Sequence, residues 1–304
     1  MMETFFANGF LFGEETLNQI HLFLGSWFDW TMVGFTTMGN EIFYIMFIPI
    51  VFWCYDKVFA ARVGGAFLIG VLFNSFFKDL FTNPRPNPEL MAPGIRELAI
   101  RYIPQDSPGF PSGHTQNAVV FWGAIAWYLK KKQAFLIAGA IIALIAYSRL
   151  YLGVHFLGDV LGGFVFGVIV LAAYLFSTAW IEKNYGLLNQ AALLVIVLLV
   201  PYLLFKFLHV YDADKSLGVL SGFLAGYILE KGRVDFVPRN KLIPTITKLI
   251  IGFSGLFLIK SGVKALLPHM AAVDYFRYWL IGIWITFFAP YLFSKLPSLR
   301  TQEE

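Results

Sequence analysis

The chain has 304 residues, of which 58% are hydrophobic and 14% are charged, and its formal net charge is +4. A soluble globular domain carries about 25% charged residues, so this composition excludes that class. The apolar residues form long runs of the length, about 20 residues, that crosses a bilayer as a helix, and the short alternating segments of a membrane β-barrel are absent. We therefore predict an all-α fold, a polytopic transmembrane helix bundle in the cell membrane. The modest positive charge is spread over loops and gives no nucleic-acid signature.

The first segment, residues 1–39, precedes the first clear span. It lacks the basic start of a signal peptide. His21 and Asp29 interrupt an apolar run over residues 16–38, and Trp27 and Trp30 are residues typical of the headgroup level. The pattern predicts an interfacial or re-entrant helix, and it leaves open whether residues 16–38 span the bilayer.

The remaining apolar runs predict a core over residues 40–180 and an extension over residues 181–304. Spans are predicted at 40–56, 60–80, 114–129, 134–152, 157–179, 190–208, 216–231, 245–266 and 275–294. The first five form the core, interrupted by a loop at residues 82–113 that is rich in Pro and Gly. A long loop of this kind in a compact domain is more often functional than structural. About four helices follow in the extension, whose role the sequence does not indicate.

Basic residues predict the orientation. If the Lys130-Lys131-Lys132 turn is cytoplasmic, most of the other loop Lys and Arg residues fall on the same side. This matches the positive-inside rule. It places loop 82–113 and the turn near residue 155 on the extracytoplasmic side.

Polar side chains at the span ends fall into three groups, and the first is Lys78 with Arg85. Arg85 lies between Pro84 and Pro86. Arginine offers a planar fork to two phosphate oxygens, whereas lysine is a compact point charge. Rigid backbone on both sides of Arg85 lowers the ordering cost of binding. The alternative is that Lys78 only extends to the lipid headgroups and that Arg85 is an exposed loop residue without a ligand.

The second group is Pro111-Ser112-Gly113-His114, directly before a span. Ser112 is a typical N-cap, and the first N–H groups of a helix attract anions. Gly113 would let the backbone approach a phosphate oxygen, and His114 would stand beside it as a proton donor. The alternative is an ordinary capped helix with an interfacial histidine.

The third group is Ser148-Arg149 followed by His155 and Asp159. His155 and Asp159 are four residues apart, so they would share one face of a helix. An aspartate that accepts from one ring nitrogen leaves the other free as a nucleophile. The alternative is a helix-capping aspartate beside an interfacial histidine; His21, His209 and His269 read as interfacial packing residues.

Together, the three groups resemble the type 2 phosphatidic acid phosphatase (PAP2) family, whose pattern is Lys-x6-Arg-Pro, Pro-Ser-Gly-His and Ser-Arg-x5-His-x3-Asp. The resemblance covers roughly residues 40–175, and every motif position matches. It implies a five-span phosphatase core without metal or other cofactor. It also implies that His155 forms a phosphohistidine, that Asp159 orients it, and that His114 is the general acid. The phosphate ligands it implies are Lys78, Arg85, Ser112, Gly113 and Arg149.

The resemblance implies a hydrolase in phospholipid metabolism, and the substrate and acceptor stay open. A lipid phosphate or an isoprenoid pyrophosphate such as the undecaprenyl pyrophosphate carrier would fit, as would phosphatidate, phosphatidylglycerophosphate and sphingoid phosphates. One alternative is a lipid phosphotransferase that uses the same phosphohistidine. Another is a lipid transporter or scramblase built on the C-terminal half. There, Gly218, Gly222 and Gly226 form a small-residue face for close helix packing, within one chain or between two, and the oligomeric state is open.

Overall fold

The computed structural model describes residues 6–104, 107–184, 189–208, 210, 212–238, 242–268 and 270–296. These residues form helices joined by turns, and no strand occurs among them, which confirms the all-α prediction. We number the helices in chain order. They are α1 (Glu14–Leu24), α2 (Asp29–Thr37), α3 (Glu41–Cys54), α4 (Lys57–Phe81), α5 (Pro93–Tyr102), α6 (Gly113–Leu129), α7 (Lys132–Tyr151), α8 (Leu157–Asn184), α9 (Gln190–Phe207), α10 (Ala213–Arg233), α11 (Leu242–Leu266) and α12 (Ala271–Lys295).

Six of these helices are long and apolar enough to cross a membrane: α4, α7, α8, α9, α11 and α12. Helices α6 and α10 are also predicted as spans but are not among these six. Helix α6 has only 17 residues, and α10 carries charged residues in its first and last turns. The structure therefore confirms the polytopic membrane class through the six long helices.

The N-terminal segment forms two short helices where the sequence predicted one. Gly25, with a φ of 66°, and a 3₁₀ turn separate α1 from α2. The helices have 11 and 9 residues, so at 1.5 Å per residue each is about half as long as a bilayer core is thick. The polar residues that interrupt the apolar run have partners on Tyr151. Its hydroxyl donates to Asp29 Oδ1 at 2.5 Å, and the buried His21 ring packs on the Tyr151 ring at 4.6 Å.

By packing, the chain divides into two compact units. The first comprises the described parts of residues 1–44 and 73–175, and the second those of 45–72 and 176–304. The divisions fall inside α3, α4 and α8. Residues 45–72, which the sequence assigns to the core, thus pack with the C-terminal helices. The predicted boundaries at residues 39 and 180 stay a prediction about function.

A buried apolar cluster in the first unit holds the loop at 82–113 in place. It consists of Leu17, Met91, Ile95, Ala99, Leu150, Phe156 and Val160. The loop is thus less irregular than predicted, because helix α5 lies within it. Pro93 starts α5, where a missing N–H costs nothing, and Ile95 and Ala99 form its buried face. This cluster joins α1 and α5 to the turn between α7 and α8.

In the second unit, α10 packs tightly on α12. A Cβ atom added at Gly218 or Gly222 would overlap backbone atoms of Tyr275 or Trp279. The small-residue face of α10 is therefore used within the chain. Near the end of α10, the buried Glu230 accepts from Lys57 at 2.9 Å, and Lys57 also pairs with Asp235 at 2.7 Å.

Candidate active site

The three polar groups of the sequence converge in the first unit. Lys78 comes from the last turn of α4, Arg85 from the loop, and His114 from the first turn of α6. Arg149 lies in the last turn of α7, and the turn into α8 supplies the other two residues, His155 and Asp159. All eight predicted site residues belong to this unit.

The turn between α7 and α8 places His155 just before a helix, not on one as the sequence reasoning assumed. Gly153 reverses the chain with a φ of 66°, and α8 begins at Leu157. Asp159, in the first turn of α8, accepts the backbone N–H of Phe156 at 2.9 Å and so caps the helix. The same Oδ2 atom lies 3.2 Å from Nδ1 of His155. Asp159 therefore caps α8 and orients His155 at once.

His155 is almost fully buried, with 1% of its surface exposed. Its Nδ1 faces Asp159, and its Nε2 lies 3.1 Å from Nη1 of Arg85. Burial, together with the positive charges of Arg85, Arg149 and Lys78, holds the pKa of His155 well below its ordinary value. The ring is therefore neutral at pH 7, with Nδ1–H donated to Asp159 and the Nε2 lone pair facing a guanidinium.

Arg85 is fixed by the backbone around it. Its Nε donates to the carbonyl oxygen of Ser107 at 2.7 Å, and its Nη1 donates to that of Val154 at 2.9 Å. Lys78 donates to Ser107 Oγ at 2.5 Å. The loop residue Ser107 thus holds both cations of the first group. Sequence reasoning missed it, because a single serine in a long loop carries no pattern.

The Ser112–Gly113 pair is joined to the third group through the backbone. The Ser112 N–H donates to the Asp159 carbonyl oxygen at 2.9 Å, and Ser112 is the N-cap residue of α6, as predicted. Its hydroxyl makes no cap bond; it accepts from Thr115 Oγ1 at 3.2 Å. A Cβ atom at Gly113 would come within 2.8 Å of Asn74 Oδ1, so glycine is needed there for the approach of Asn74.

His114 and Arg149 have partners that the sequence did not indicate. His114 Nε2 lies 2.7 Å from Asn40 Oδ1. Arg149 is 3% exposed and donates from Nη1 to the hydroxyl of Thr36, while its Nε is buried and has no hydrogen-bond partner among the described residues. A buried N–H group without a partner costs free energy, so Arg149 retains a donor for an anion. His209 and His269 lie outside the described residues.

Comparison with known proteins agrees with this arrangement. A family model described as "PAP2 superfamily" matches residues 59–184, and one described as "PAP2 superfamily phosphatase, transmembrane extension" matches residues 215–302. Phosphatidylglycerophosphatase B of Bacillus subtilis is 33% identical over 161 residues, which cover 47% of this chain and 72% of that protein. The chain belongs to the PAP2 superfamily.

Two further PAP2 relatives have different substrates in their names. Sphingosine-1-phosphate phosphatase 1 of Mus musculus is 23% identical over 312 residues, covering 85% of this chain and 70% of that protein. Lipid A 4'-phosphatase of Porphyromonas gingivalis is 30% identical over 161 residues, covering 51% of this chain and 66% of that protein. A crystal structure of a transmembrane PAP2-type phosphatidylglycerolphosphate phosphatase from Bacillus subtilis matches with a TM-score of 0.47 and 28% identity, covering 60% of this chain and 90% of that one.

Membership confirms the class that the sequence predicted, a membrane phosphatase that acts as a phosphoric monoester hydrolase. The two family models cover the core motifs and most of the C-terminal helices. Residues 36–40, which contact His114 and Arg149, precede the matched segment.

Proposed function

We propose that this PAP2 protein removes the phosphate from a membrane lipid phosphate, with His155 as the nucleophile. The names of its relatives support a lipid substrate, since all three are phosphatases of lipids. A site at the ends of apolar helices suits a substrate whose charged head reaches the site while its tail stays in the bilayer. The relatives differ in lipid, so the proposal specifies the phosphate head and not the tail.

One observation carries this proposal: Nε2 of His155 lies 3.1 Å from the guanidinium of Arg85. Arginine is a preferred phosphate ligand, so a phosphate bound to the same guanidinium would lie beside Nε2 of His155, and the Nε2 lone pair becomes available for attack when the phosphate takes over the Arg85 donor. Asp159 holds the opposite nitrogen and would stabilise the positive charge that develops on the ring. The proposed nucleophile thus has an orienting carboxylate beside Nδ1 and an anion ligand beside Nε2.

The reaction follows from these positions in two steps. In the first, the Nε2 lone pair forms an N–P bond while the P–O bond to the lipid alcohol breaks, and His114 gives its proton to the leaving oxygen. In the second, water attacks phosphorus and the N–P bond breaks, with the proton of the water passing to His114. Inorganic phosphate leaves and both histidines return to their starting states.

The cations would stabilise the charge of the transition state. The positive charges of Lys78, Arg85 and Arg149 all lower the pKa of His155, so the same charges would act on a phosphate bound beside its ring. Ser112 and Gly113 start helix α6, whose first N–H groups would bind a further phosphate oxygen. Preorganised donors of this kind are often the largest contribution to catalysis.

A labelling experiment with His155 variants tests the proposal. Wild type purified in detergent should release phosphate from a ³²P-labelled lipid phosphate and, after rapid quenching, carry label that is stable to alkali and lost in acid, as expected of a phosphohistidine. His155→Ala should lose both activity and label. His155→Asn, closer in shape, guards against a folding defect, with a monodisperse elution profile as the check. A variant that keeps either signal would contradict the assignment of the nucleophile.

Asp159→Asn provides the matched comparison. Its amide oxygen can still cap α8, but it cannot stabilise a positive His155 ring, so activity should fall by about 10⁴-fold, as for the corresponding change in a serine protease triad. If the labelled phosphate passes to an added lipid alcohol and not to water, the alternative reaction, lipid phosphotransfer through the same phosphohistidine, is supported.

A further inference from the structure

Residues 36–40, at the junction of α2 and α3, touch two of the proposed site residues. The Thr36 hydroxyl accepts from Arg149, and Asn40 Oδ1 lies 2.7 Å from Nε2 of His114. Between them, Gly39 is packed so closely that an added Cβ would lie 2.8 Å from Cδ2 of the His114 ring. The three residues come from one turn, and all lie before the segment matched by the family model, which starts at residue 59.

The turn itself is held by regular hydrogen bonds. Gly39 N–H donates to the Thr36 carbonyl at 3.0 Å, and Asn40 N–H donates to that of Thr37 at 3.1 Å. The backbone carbonyl oxygen of Asn40 accepts from the N–H of Phe43 at 3.1 Å, at the start of α3. Its side chain is therefore presented from a fixed backbone.

The contact with Asn40 selects the protonation pattern of His114. An amide oxygen only accepts hydrogen bonds, so Nε2 of His114 must carry a proton when it binds Asn40 Oδ1. The neighbouring Cδ2 atom faces Gly39, so the Nε2 edge of the ring points at the turn. The Nδ1 atom is then the one available to substrate. The negative charge of a bound phosphate offsets the neighbouring cations and favours a second proton on Nδ1, and that proton would be the one transferred.

We propose that residues 36–40 are part of the active site, with Asn40 as a positioning residue that directs the transferable proton of His114 to Nδ1, and Thr36 as one that holds Arg149. This rests on the proposed role of His114 as general acid. Thr36 occupies Nη1 of Arg149 and leaves the buried Nε free for a phosphate oxygen. Both residues act through another residue and touch no reacting atom.

The test compares two substrates that differ only in leaving group. One is an alkyl phosphate, whose poor leaving oxygen needs a proton, and the other is an aryl phosphate with a tail of equal length, which leaves without one. Asn40→Leu removes the acceptor at similar volume. It should lower kcat about 10- to 100-fold on the alkyl phosphate, part of the 10²–10⁴-fold that general acids contribute, and only a few-fold on the aryl phosphate.

Asn40→Asp keeps an acceptor at the same place and should restore most of the activity on the alkyl phosphate. His114→Ala should show the same dependence on leaving group, and the double variant should be no worse than His114→Ala alone. Equal losses on both substrates, or a double variant with additive losses, would overturn the role of Asn40.

Thr36→Val tests the other contact. It should raise KM by about 10-fold, because the hydrogen bond that holds the charged Arg149 is lost, and Thr36→Ser should restore the wild-type value. The matched control is Thr37→Val. Thr37 is exposed and its hydroxyl donates within α2 to Val33 O at 2.7 Å, so this variant should behave as wild type. If Thr36→Val and Thr37→Val have equal effects, the role of Thr36 is wrong.

The same measurements distinguish failure of the proposed phosphatase function from failure of the role of Asn40. If the proposed function is wrong, wild type would release no phosphate from either substrate, or would do so without His114. If wild type acts on both substrates and depends on His114 but Asn40→Leu leaves the ratio of the two rates unchanged, only the role of Asn40 is wrong.

Discussion

His155 has two different neighbours on its two ring nitrogens, and this difference sets its chemistry. Asp159 lies 3.2 Å from Nδ1 and Arg85 lies 3.1 Å from Nε2. A carboxylate alone would favour the charged imidazolium, but burial and the positive charges of Arg85, Arg149 and Lys78 hold the pKa of His155 well below its ordinary value. The proposed nucleophile is thus kept neutral while Asp159 remains beside its Nδ1.

This balance predicts a pH effect for Arg85→Gln. Removing the positive charge should raise the pKa of His155, so a larger fraction of the ring is protonated and inactive at any given acidic pH. The acid limb of kcat/KM should therefore move to higher pH than in wild type. Substrate ionisation is common to both proteins, so the shift between their pH profiles isolates the enzyme.

Arg101→Gln is the control for this pH effect. Arg101 is exposed on α5, in the same loop as Arg85, and stacks on the Tyr102 ring at 5.5 Å. It should leave the acid limb in place. If the acid limb of the kcat/KM profile of Arg85→Gln also coincides with that of wild type, Arg85 does not control the charge of His155.

The sequence motifs predicted eight site residues but gave no sign of the residues that contact them in the structure. The motifs set the number of residues between each of Lys78, His114 and His155 and a neighbouring Pro, Gly or Asp. Such spacing can be read from the sequence. Ser107 and Asn40 have no such signature. They contact Lys78 and His114 across 29 and 74 residues of sequence, so their partners depend on how the helices pack.

At the scale of helices, α10 and α12 show a packing surface made of glycine. Because a Cβ at Gly222 would overlap the Trp279 carbonyl, Gly222→Ala should force the helices apart. Overpacking costs about 1–3 kcal/mol, so the thermal midpoint in detergent should fall. We expect activity at low temperature to fall less, since the site residues lie in the other unit.

Gly139 in α7 is the matched control. Nothing lies within 4 Å of an added Cβ there. Gly139→Ala should keep or raise the midpoint, because alanine favours a helix by up to about 1 kcal/mol over glycine. A similar fall in both variants would mean that the close packing of α10 on α12 is not what stabilises the unit.

At the scale of the whole molecule, the distribution of basic residues predicts that the site faces away from the cytoplasm. Cys54 is the single cysteine and is buried, so a Cys54→Ser background gives a clean starting point for thiol labelling. Glu89→Cys, in the loop of the site, should react with a membrane-impermeant maleimide in intact cells. Lys131→Cys, in the basic turn, should react only after permeabilisation. Both positions are exposed. The reverse pattern would place the site in the cytoplasm.

The sequence by itself determined the membrane class and most helix bounds, and its motifs predicted the eight site residues. Hydropathy and residue spacing are local properties, so they are visible without a structure. Only the tertiary structure revealed the two helices of the N-terminal segment, the helix inside loop 82–113, and Ser107, Thr36 and Asn40 as partners of the site. Those features depend on buried contacts between residues far apart in the chain, where an ordinary serine, threonine or asparagine acquires a role from the side chain it meets.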